Sequence, residues 1–234
     1  MRVIVFTKYP WPGKVKTRLG MVIGHEHAAG LQTAFLRDQL ETLSSVGAEI
    51  TICCDPATPL PDYQALLGLG FSYTVQQGRD LGRRMSNALH DALCTRPAPV
   101  LLIGSDLPDL PPAIIRDADQ LLKSESVCLG PTPDGGFYLF GLARPLPSRI
   151  FSGVDWGTPT VLSATLANLA AQGLQASLLP SWPDVDTADD LAAYIRRNSG
   201  KRNHTMRYIA SHDPLQTLSV GKRPEESHDE NATR

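Results

Sequence analysis

Residues with chemistry to offer gather in three stretches of this chain. In Val100-Leu101-Leu102-Ile103-Gly104-Ser105-Asp106 an apolar run without alternation delivers one carboxylate just past its end, and Pro108 follows. A lone aspartate so placed suits a divalent metal held on a phosphate, and it equally suits a turn that caps the next helix. Lys8, Lys14, Lys16 and Arg18 crowd an early segment together with Gly13 and the Thr17 hydroxyl, and no acidic residue comes before Glu26. Such a local excess of cations suits a bound anion. Asp184 and Asp186 add further carboxylates near the end of the folded part. A basic stretch facing acidic ones cancels itself unless something lies between. A diphosphate with Mg²⁺ or Mn²⁺ fills that gap: the cations pair with phosphate oxygens while the aspartates hold the bridging metal.

For the three stretches to meet, the elements around them must end at one edge. Val3 to Thr7 reads as a first strand, which Pro10 and Pro12 cannot continue because they lack donors; the loop runs on through Leu19. Leu36, Leu40 and Leu43 at helical spacing predict a helix from Ala28 to Val46, closed by Gly47, with His25 and His27 before it. Glu49 to Cys54 and Phe71 to Gln76 read as strands separated by a short helix. The segment from Leu81 to about Leu93 reads as a helix whose Arg83 and Arg84 form a solvated face, although Arg79 and Arg83 lie near enough to its start to reach a substrate anion.

Val100 to Ile103 is a strand buried on both faces, and a helix follows from Pro112 to Lys123. Strands Val127 to Gly130 and Phe137 to Leu142 flank a turn containing Asp134, Gly135 and Gly136, where two adjacent glycines permit backbone close to a ligand or simply close a hairpin. Thr158-Pro159 opens a helix to about Gln172, and Leu174 to Leu179 is a last strand. Thr187 with Asp190 resembles a capping box for a helix to Arg197. Regular alternation of strand and helix implies an α/β, mostly parallel sheet with helices on both faces. In such a sheet the loops after the first strand, the Val100 strand and the last strand open on one edge.

Composition sets the outer bounds. A chain of 234 residues, 42% hydrophobic and 20% charged, can bury a sizeable core, and residues 1–199 read as one domain followed by a polar, flexible tail over 200–234. A net charge of -2 gives no reason to expect nucleic acid or a membrane as partner, and no apolar run is long enough for a span, so a cytoplasmic location is expected. Cys53, Cys54, Cys94 and Cys128 lack C-x-x-C spacing and read as small hydrophobes in a reducing compartment.

The run from Phe6 to Leu19, F-T-K-Y-P-W-P-G-K-V-K-T-R-L, resembles the first nucleotide-binding loop of the radical-SAM/selenodomain-associated glycosyltransferase-like family, a GT-A group related to the CofC and MobA nucleotidyltransferases. Five further motifs resemble that family in the same order: Asp80 to Met85, Gly104 to Pro108, Gly130-Pro131 with Asp134 to Phe137, Trp156 to Pro159, and Asp184 to Thr187 with Asp190-Leu191. The resemblance implies a GT-A, Rossmann-like nucleotide-diphospho-sugar transferase fold. It implies Asp106 and Asp186 as metal ligands, and Lys8, Gly13, Lys16 and Arg18, with Thr17 between them, along the nucleotide phosphates. It also places Asp134, Gly135 and Gly136 toward the second substrate. Leu107 departs from the cysteine that many members carry, and the tail after Gly200 has no counterpart there.

The expected activity is metal-dependent glycosyl transfer from a nucleotide diphosphate sugar to a small acceptor. A metal on Asp106, with Lys16 and Arg18, would stabilise the leaving diphosphate, and Asp134 would act as general base if configuration inverts. Two alternatives stand beside it. Lys16-Thr17-Arg18-Leu19 resembles the CofC-type sequence and would suit nucleotidyl transfer from a nucleoside triphosphate to a small phosphorylated or carboxylate acceptor. A non-catalytic nucleotide-binding regulator could use the same fold. No G-x-G-x-x-G follows the first strand, which argues against dinucleotide oxidoreduction.

Overall fold

The computed structural model describes residues 1–145 and 149–212. Its strands are β1 (Arg2–Thr7), β2 (Glu49–Cys54), β3 (Ser72–Val75), β4 (Val100–Gly104), β5 (Val127–Pro131), β6 (Phe137–Leu142) and β7 (Ser177–Leu178). They form one sheet in the order β3-β2-β1-β4-β6-β5-β7. The pairs β1–β2, β1–β4, β2–β3 and β5–β7 are parallel, and β6 alone runs antiparallel, between β4 and β5. The sheet is therefore mostly parallel, as the alternation of elements implies, and the reversed strand follows from the Pro131–Phe137 hairpin.

The helices are α1 (Thr17–Ile23), α2 (His25–Ser45), α3 (Leu60–Leu67), α4 (Leu81–Thr95), α5 (Pro112–Leu121), α6 (Val161–Ala170), α7 (Ala188–Arg197) and α8 (His204–His212). Continuous apolar strands are explained by helices on both faces. Val3 and Val5 of β1 and Leu101 and Ile103 of β4 pack with Leu36 and Leu40 of α2 and Ile114 of α5. Ile4 and Phe6, with Val100 and Leu102, pack the other way against Met85 and Leu89 of α4 and Leu169 of α6. Alternate residues of each strand face opposite layers, so both faces must be apolar.

A third cluster lies beyond the first helical layer and joins Leu19 and Ile23 of α1, Leu31 and Phe35 of α2, and Leu191 and Tyr194 of α7. Met206, Tyr208 and Ile209 of α8 pack against it. Residues 204–212 of the expected flexible tail thus form a helix docked on the domain; residues 213–234 lie outside the described part. Other boundaries also shift. The loop expected through Leu19 becomes α1 from Thr17, and α2 starts at His25 rather than Ala28. Thr158 does not cap a helix: α6 starts after Thr160, because Thr158 Oγ1 instead donates to the Asp155 carbonyl. The last strand shrinks to the two residues that pair with β5.

Candidate active site

Phe6 of β1 lies opposite Gly104 of β4, so the loops after these two strands leave the sheet as neighbours. The β1 loop is pinned by aromatic contacts: the Tyr9 ring meets Tyr63 edge-on at 5.2 Å, and the Trp11 indole N–H donates to Thr58 Oγ1 at 3.0 Å. Gly13 turns the chain with φ 74° and Val15 enters the interior. Lys16 then takes φ 46°, the one positive φ outside glycine among the described residues. For an L-residue this left-handed geometry costs about 1–2 kcal/mol. It directs the lysine inward, leaving the side chain 2% exposed, and α1 starts at the next residue.

The Lys16 ammonium lies 2.5 Å from Asp106 Oδ1 and 2.6 Å from Asp186 Oδ1. Arg18, from the exposed rim, donates to Asp186 Oδ2 at 2.7 Å. The basic and acidic loops therefore meet directly, without the gap that the sequence suggests for a diphosphate. Burial works against the Lys16 charge, yet Asp106 and Asp186 outweigh it and hold the lysine above its ordinary pKa. Burial likewise opposes ionisation of Asp186, and Lys16 and Arg18 overcome it, holding that carboxyl below the usual range. Asp184 fares differently: burial first, then the charges of Asp186, Asp134 and Asp106, push it up to about 6 against the weaker pull of Lys16.

Neighbouring elements fix these groups in place. The Gln32 side-chain amide of α2 donates to the Ser105 carbonyl and hydroxyl at 3.2 and 3.1 Å, and Gln39 donates to the Gly104 carbonyl at 2.7 Å. Val185 is fully buried in the third cluster, and its N–H donates to the Asp106 carbonyl at 3.0 Å. That single residue anchors the pair Asp184 and Asp186 to the β4 loop. Immediately after it, Thr187 and Asp190 form the expected capping box of α7. Asp109 closes the arrangement: its carboxylate, 4% exposed, accepts from Trp182 Nε1, Arg197 Nε and Asn198 Nδ2.

Lys16, Asp106, Asp184 and Asp186 line a cleft of about 500 Å³ at the ends of β1 and β4, whereas Arg18 and Asp109 do not. Lys8, Lys16, Thr17, Asp106, Asp134, Gly136 and Asp186 all line it, as expected. Gly135 does not. Its φ is 89°, a Cβ there would lie 2.1 Å from the Pro159 carbonyl oxygen, and its own carbonyl accepts from Leu162 N–H, so it holds the start of α6. Gly13 shapes the loop from outside the cleft. Arg83 is exposed and borders a separate hollow beside Phe151, away from the site, because the apolar face of α4 turns Leu81 and Met85 to the cleft. Arg84 is not simply solvated: it pairs with Asp55 at 3.1 Å. Asp134 Oδ1 accepts from Thr132 Oγ1 at 2.5 Å and from Gly136 N–H at 3.1 Å, which makes the residue a clasp of its own turn.

Gln32 and Gln76 border the cleft without having been singled out in the sequence. Gln76 follows β3 and donates to the Thr7 and Cys53 carbonyls, tying together the ends of β1 and β2. A glutamine at the end of a β-branched strand is a weak signal, and Gln32 on a mixed helix gives none.

The donor chemistry here suits a hard cation, since two carboxylate oxygens already converge on one positive charge. That point belongs to the Lys16 ammonium in this arrangement. Among the described residues, the one trio of His, Cys, Asp or Glu with ligand atoms within 4.8 Å of one another is Asp38, Glu41 and His204, at the α2–α8 contact. Both Asp38 oxygens there already accept backbone N–H groups of α8.

Residues 36–158 match a family described as "Uncharacterized protein conserved in bacteria (DUF2064)". The chain belongs to the DUF2064 family. A crystal structure from Desulfovibrio desulfuricans G20, described as a "putative nucleotide-diphospho-sugar transferase", is 37% identical to this DUF2064 chain, with a TM-score of 0.86 over 92% of this chain and 95% of that one. The inositol-1-phosphate CTP transferase of T. maritima shares the fold at 14% identity, TM-score 0.55, covering 89% of this chain and 96% of that one. CMP:2-keto-3-deoxy-manno-octonic acid synthetase in complex with CTP shares it at 13% identity, TM-score 0.51, covering 83% and 96%. Among curated proteins, none matches the chain. The DUF2064 chain thus has the α/β fold of nucleotide-diphospho-sugar transferases and nucleotidyltransferases.

Proposed function

We propose that this DUF2064 protein is a metal-dependent glycosyltransferase that takes a nucleotide diphosphate sugar and a small acceptor. One observation supports this above all others: Lys16 at the end of the β1 loop and Arg18 in the first turn of α1 meet Asp106 and Asp186 beside a cleft on the strand ends. Those four side chains hold both signs of charge that a metal-bound diphosphate requires. The motif resemblance to the radical-SAM/selenodomain-associated group and the description of the 37% identical relative point the same way. Mg²⁺ or Mn²⁺, held by Asp106 and Asp186, would supply Lewis-acid stabilisation of the diphosphate leaving group.

The chain's own residues do the rest. Lys16 and Arg18 pair with diphosphate oxygens, with Lys8 and the Thr17 hydroxyl beside them, so that negative charge developing on the leaving group meets fixed donors. Asp134 stands on the opposite loop. Its Oδ1 is held by Thr132 and Gly136, which orients Oδ2 as the base that takes the acceptor hydroxyl proton. Leu81, Phe137 and Trp156 give that side of the cleft an apolar wall.

Nucleotidyl transfer is the second reading, favoured by the sequence Lys16-Thr17-Arg18-Leu19, whose two cations both reach Asp186. Thermal shift against a panel of nucleoside triphosphates and nucleotide sugars, with and without Mn²⁺, tests both, combined with detection of the released product. The expected result is Mn²⁺-dependent stabilisation by a nucleotide sugar, release of nucleoside diphosphate, and loss of both in Asp106→Ala. Pyrophosphate release from a triphosphate would replace this reading with nucleotidyl transfer. Binding without turnover would make the protein a regulator.

A further inference from the structure

Lys16 occupies the position that a metal on Asp106 and Asp186 would need. Its ammonium is 2.5 and 2.6 Å from one oxygen of each carboxylate, and its side chain is 2% exposed. Two cations cannot both sit that close to the same oxygen pair, so a divalent ion that takes these two oxygens displaces the ammonium. A buried ammonium does not leave for an apolar interior; it must be met by another anion. Asp184 and Asp134 are the other carboxylates lining the cleft, and an incoming metal would compete with the ammonium for them as well. The Phe35 ring, 5.7 Å from the ammonium, offers it only the face of an aromatic. The anion that can receive Lys16 must therefore arrive from outside.

We infer that Lys16 is a built-in place-holder cation, which keeps divalent metal out of the Asp106–Asp186 pair until a polyphosphate draws its ammonium away, so that metal and nucleotide enter together. This rests on the reading of the cleft as a nucleotide and metal site, and it adds an order to it. Metal alone competes with a covalently tethered cation and binds weakly. Nucleotide alone brings negative charge toward Asp106 and Asp186 while Lys16 is still committed to them. With both present, Lys16 exchanges two carboxylates for phosphate oxygens, the metal takes the carboxylates, and every charge is matched. By linkage each ligand tightens the other by the same factor. The left-handed backbone at Lys16, set by the fold rather than by the residue's own preference, aims its side chain at Asp106 and Asp186 from the junction of loop and α1.

Water-proton relaxation, which detects Mn²⁺ on a slowly tumbling protein, tests this with Mn²⁺ and inorganic pyrophosphate as probes, against a protein-free Mn²⁺–pyrophosphate blank. In the wild type, pyrophosphate should tighten Mn²⁺ binding by tenfold or more. In Lys16→Met, Mn²⁺ alone should bind at least tenfold more tightly than to the wild type, and the pyrophosphate effect should fall to within about twofold of none. A folded Lys16→Met protein that binds Mn²⁺ no better than wild type would overturn the inference. So would a wild type whose Mn²⁺ affinity ignores pyrophosphate, and that arm decides even where the variant does not fold. Transfer is not read in either arm. Coupled binding in a protein that transfers nothing overturns only the glycosyltransferase reading, whereas transfer without coupling overturns only the place-holder.

Discussion

Four carboxylates and one buried lysine share the floor and walls of the cleft, and the charges are not evenly matched. Lys16 satisfies Asp106 and Asp186, whereas Asp184, through its burial first and then its three negative neighbours, has its pKa pushed up to about 6. A carboxyl whose folded pKa exceeds its unfolded value of 3.8 binds its proton more tightly in the folded protein. The sign follows: stability is fully present below about pH 4 and is lost as pH rises through 6. Removing the charge should recover it. In metal-free protein held in chelator, Asp184→Asn is expected to raise the melting temperature at pH 8 by about 2–6 °C, corresponding to about 1–2 kcal/mol after solvent screening of a partly exposed group. At pH 4 the two proteins should melt together. A gain that is the same at both pH values would show that the charge of Asp184 is not its source. Sequence reading finds Asp184 and Asp186 as a pair; which of the two meets Lys16 depends on Val185, whose burial points its neighbours away from the third core.

At the scale of elements, the distance between the β4 loop and the loop before α7 is set by few contacts. Val185 N–H reaches the Asp106 carbonyl, and Asp109 collects the side chains of Trp182, Arg197 and Asn198. Asp109 thereby binds the β4 loop to both sides of the Asp184–Asp186 segment. Asp109→Ala leaves Arg197 and the Asn198 amide without their buried acceptor, and breaking a buried charged network of this kind costs about 3–5 kcal/mol. Arg197 is partly exposed and can be rehydrated, which brings the expected loss to about 2–3 kcal/mol. Chemical denaturation should show that loss, and Asp109→Asn, which keeps an acceptor, should recover part of it. Equal loss in both variants would place the effect in the charge alone. Such a hub is illegible in the sequence, because Asp109 stands 88 residues from Arg197 and nothing local marks it beside Asp106. Elements with strong local signals were legible: β2 and β6 have the expected limits, and the Thr187–Asp190 box is formed. Where limits shifted, they follow contacts that the sequence does not display: Leu19 and Ile23 of α1 pack on α2 and α7, Thr158 Oγ1 turns to the Asp155 carbonyl ahead of α6, and β7 keeps only the two residues paired with β5.

At the scale of the molecule, the domain does not stop where composition changes. Residues after Gly200 are polar enough to read as a tail, yet α8 lays Met206, Tyr208 and Ile209 on a cluster shared by α1, α2 and α7, the same cluster that holds Val185. The docking depends on close approach and on one carboxylate. A Cβ at Gly30 would lie 2.2 Å from the Tyr208 hydroxyl oxygen, so only glycine lets the ring down onto α2. Asp38, 4% exposed, accepts the His204 and Thr205 N–H groups at 2.6 and 3.0 Å, satisfying the first donors of α8 from a different helix. His204 Nε2 also meets Glu41 Oε1 at 2.7 Å, one turn along α2. Because the cap is supplied across the α2–α8 contact, its loss should release α8 without unfolding the sheet. Loss of such a cap is worth about 1–2 kcal/mol, or on the order of a tenfold change in local opening. In Asp38→Ala, hydrogen exchange over His204–His212 is therefore expected to quicken about tenfold while β1 and β4 keep their protection. Acceleration spread evenly over the strands would mean that α8 and the sheet open as one unit, and that the segment after Gly200 is part of the core rather than an addition to it.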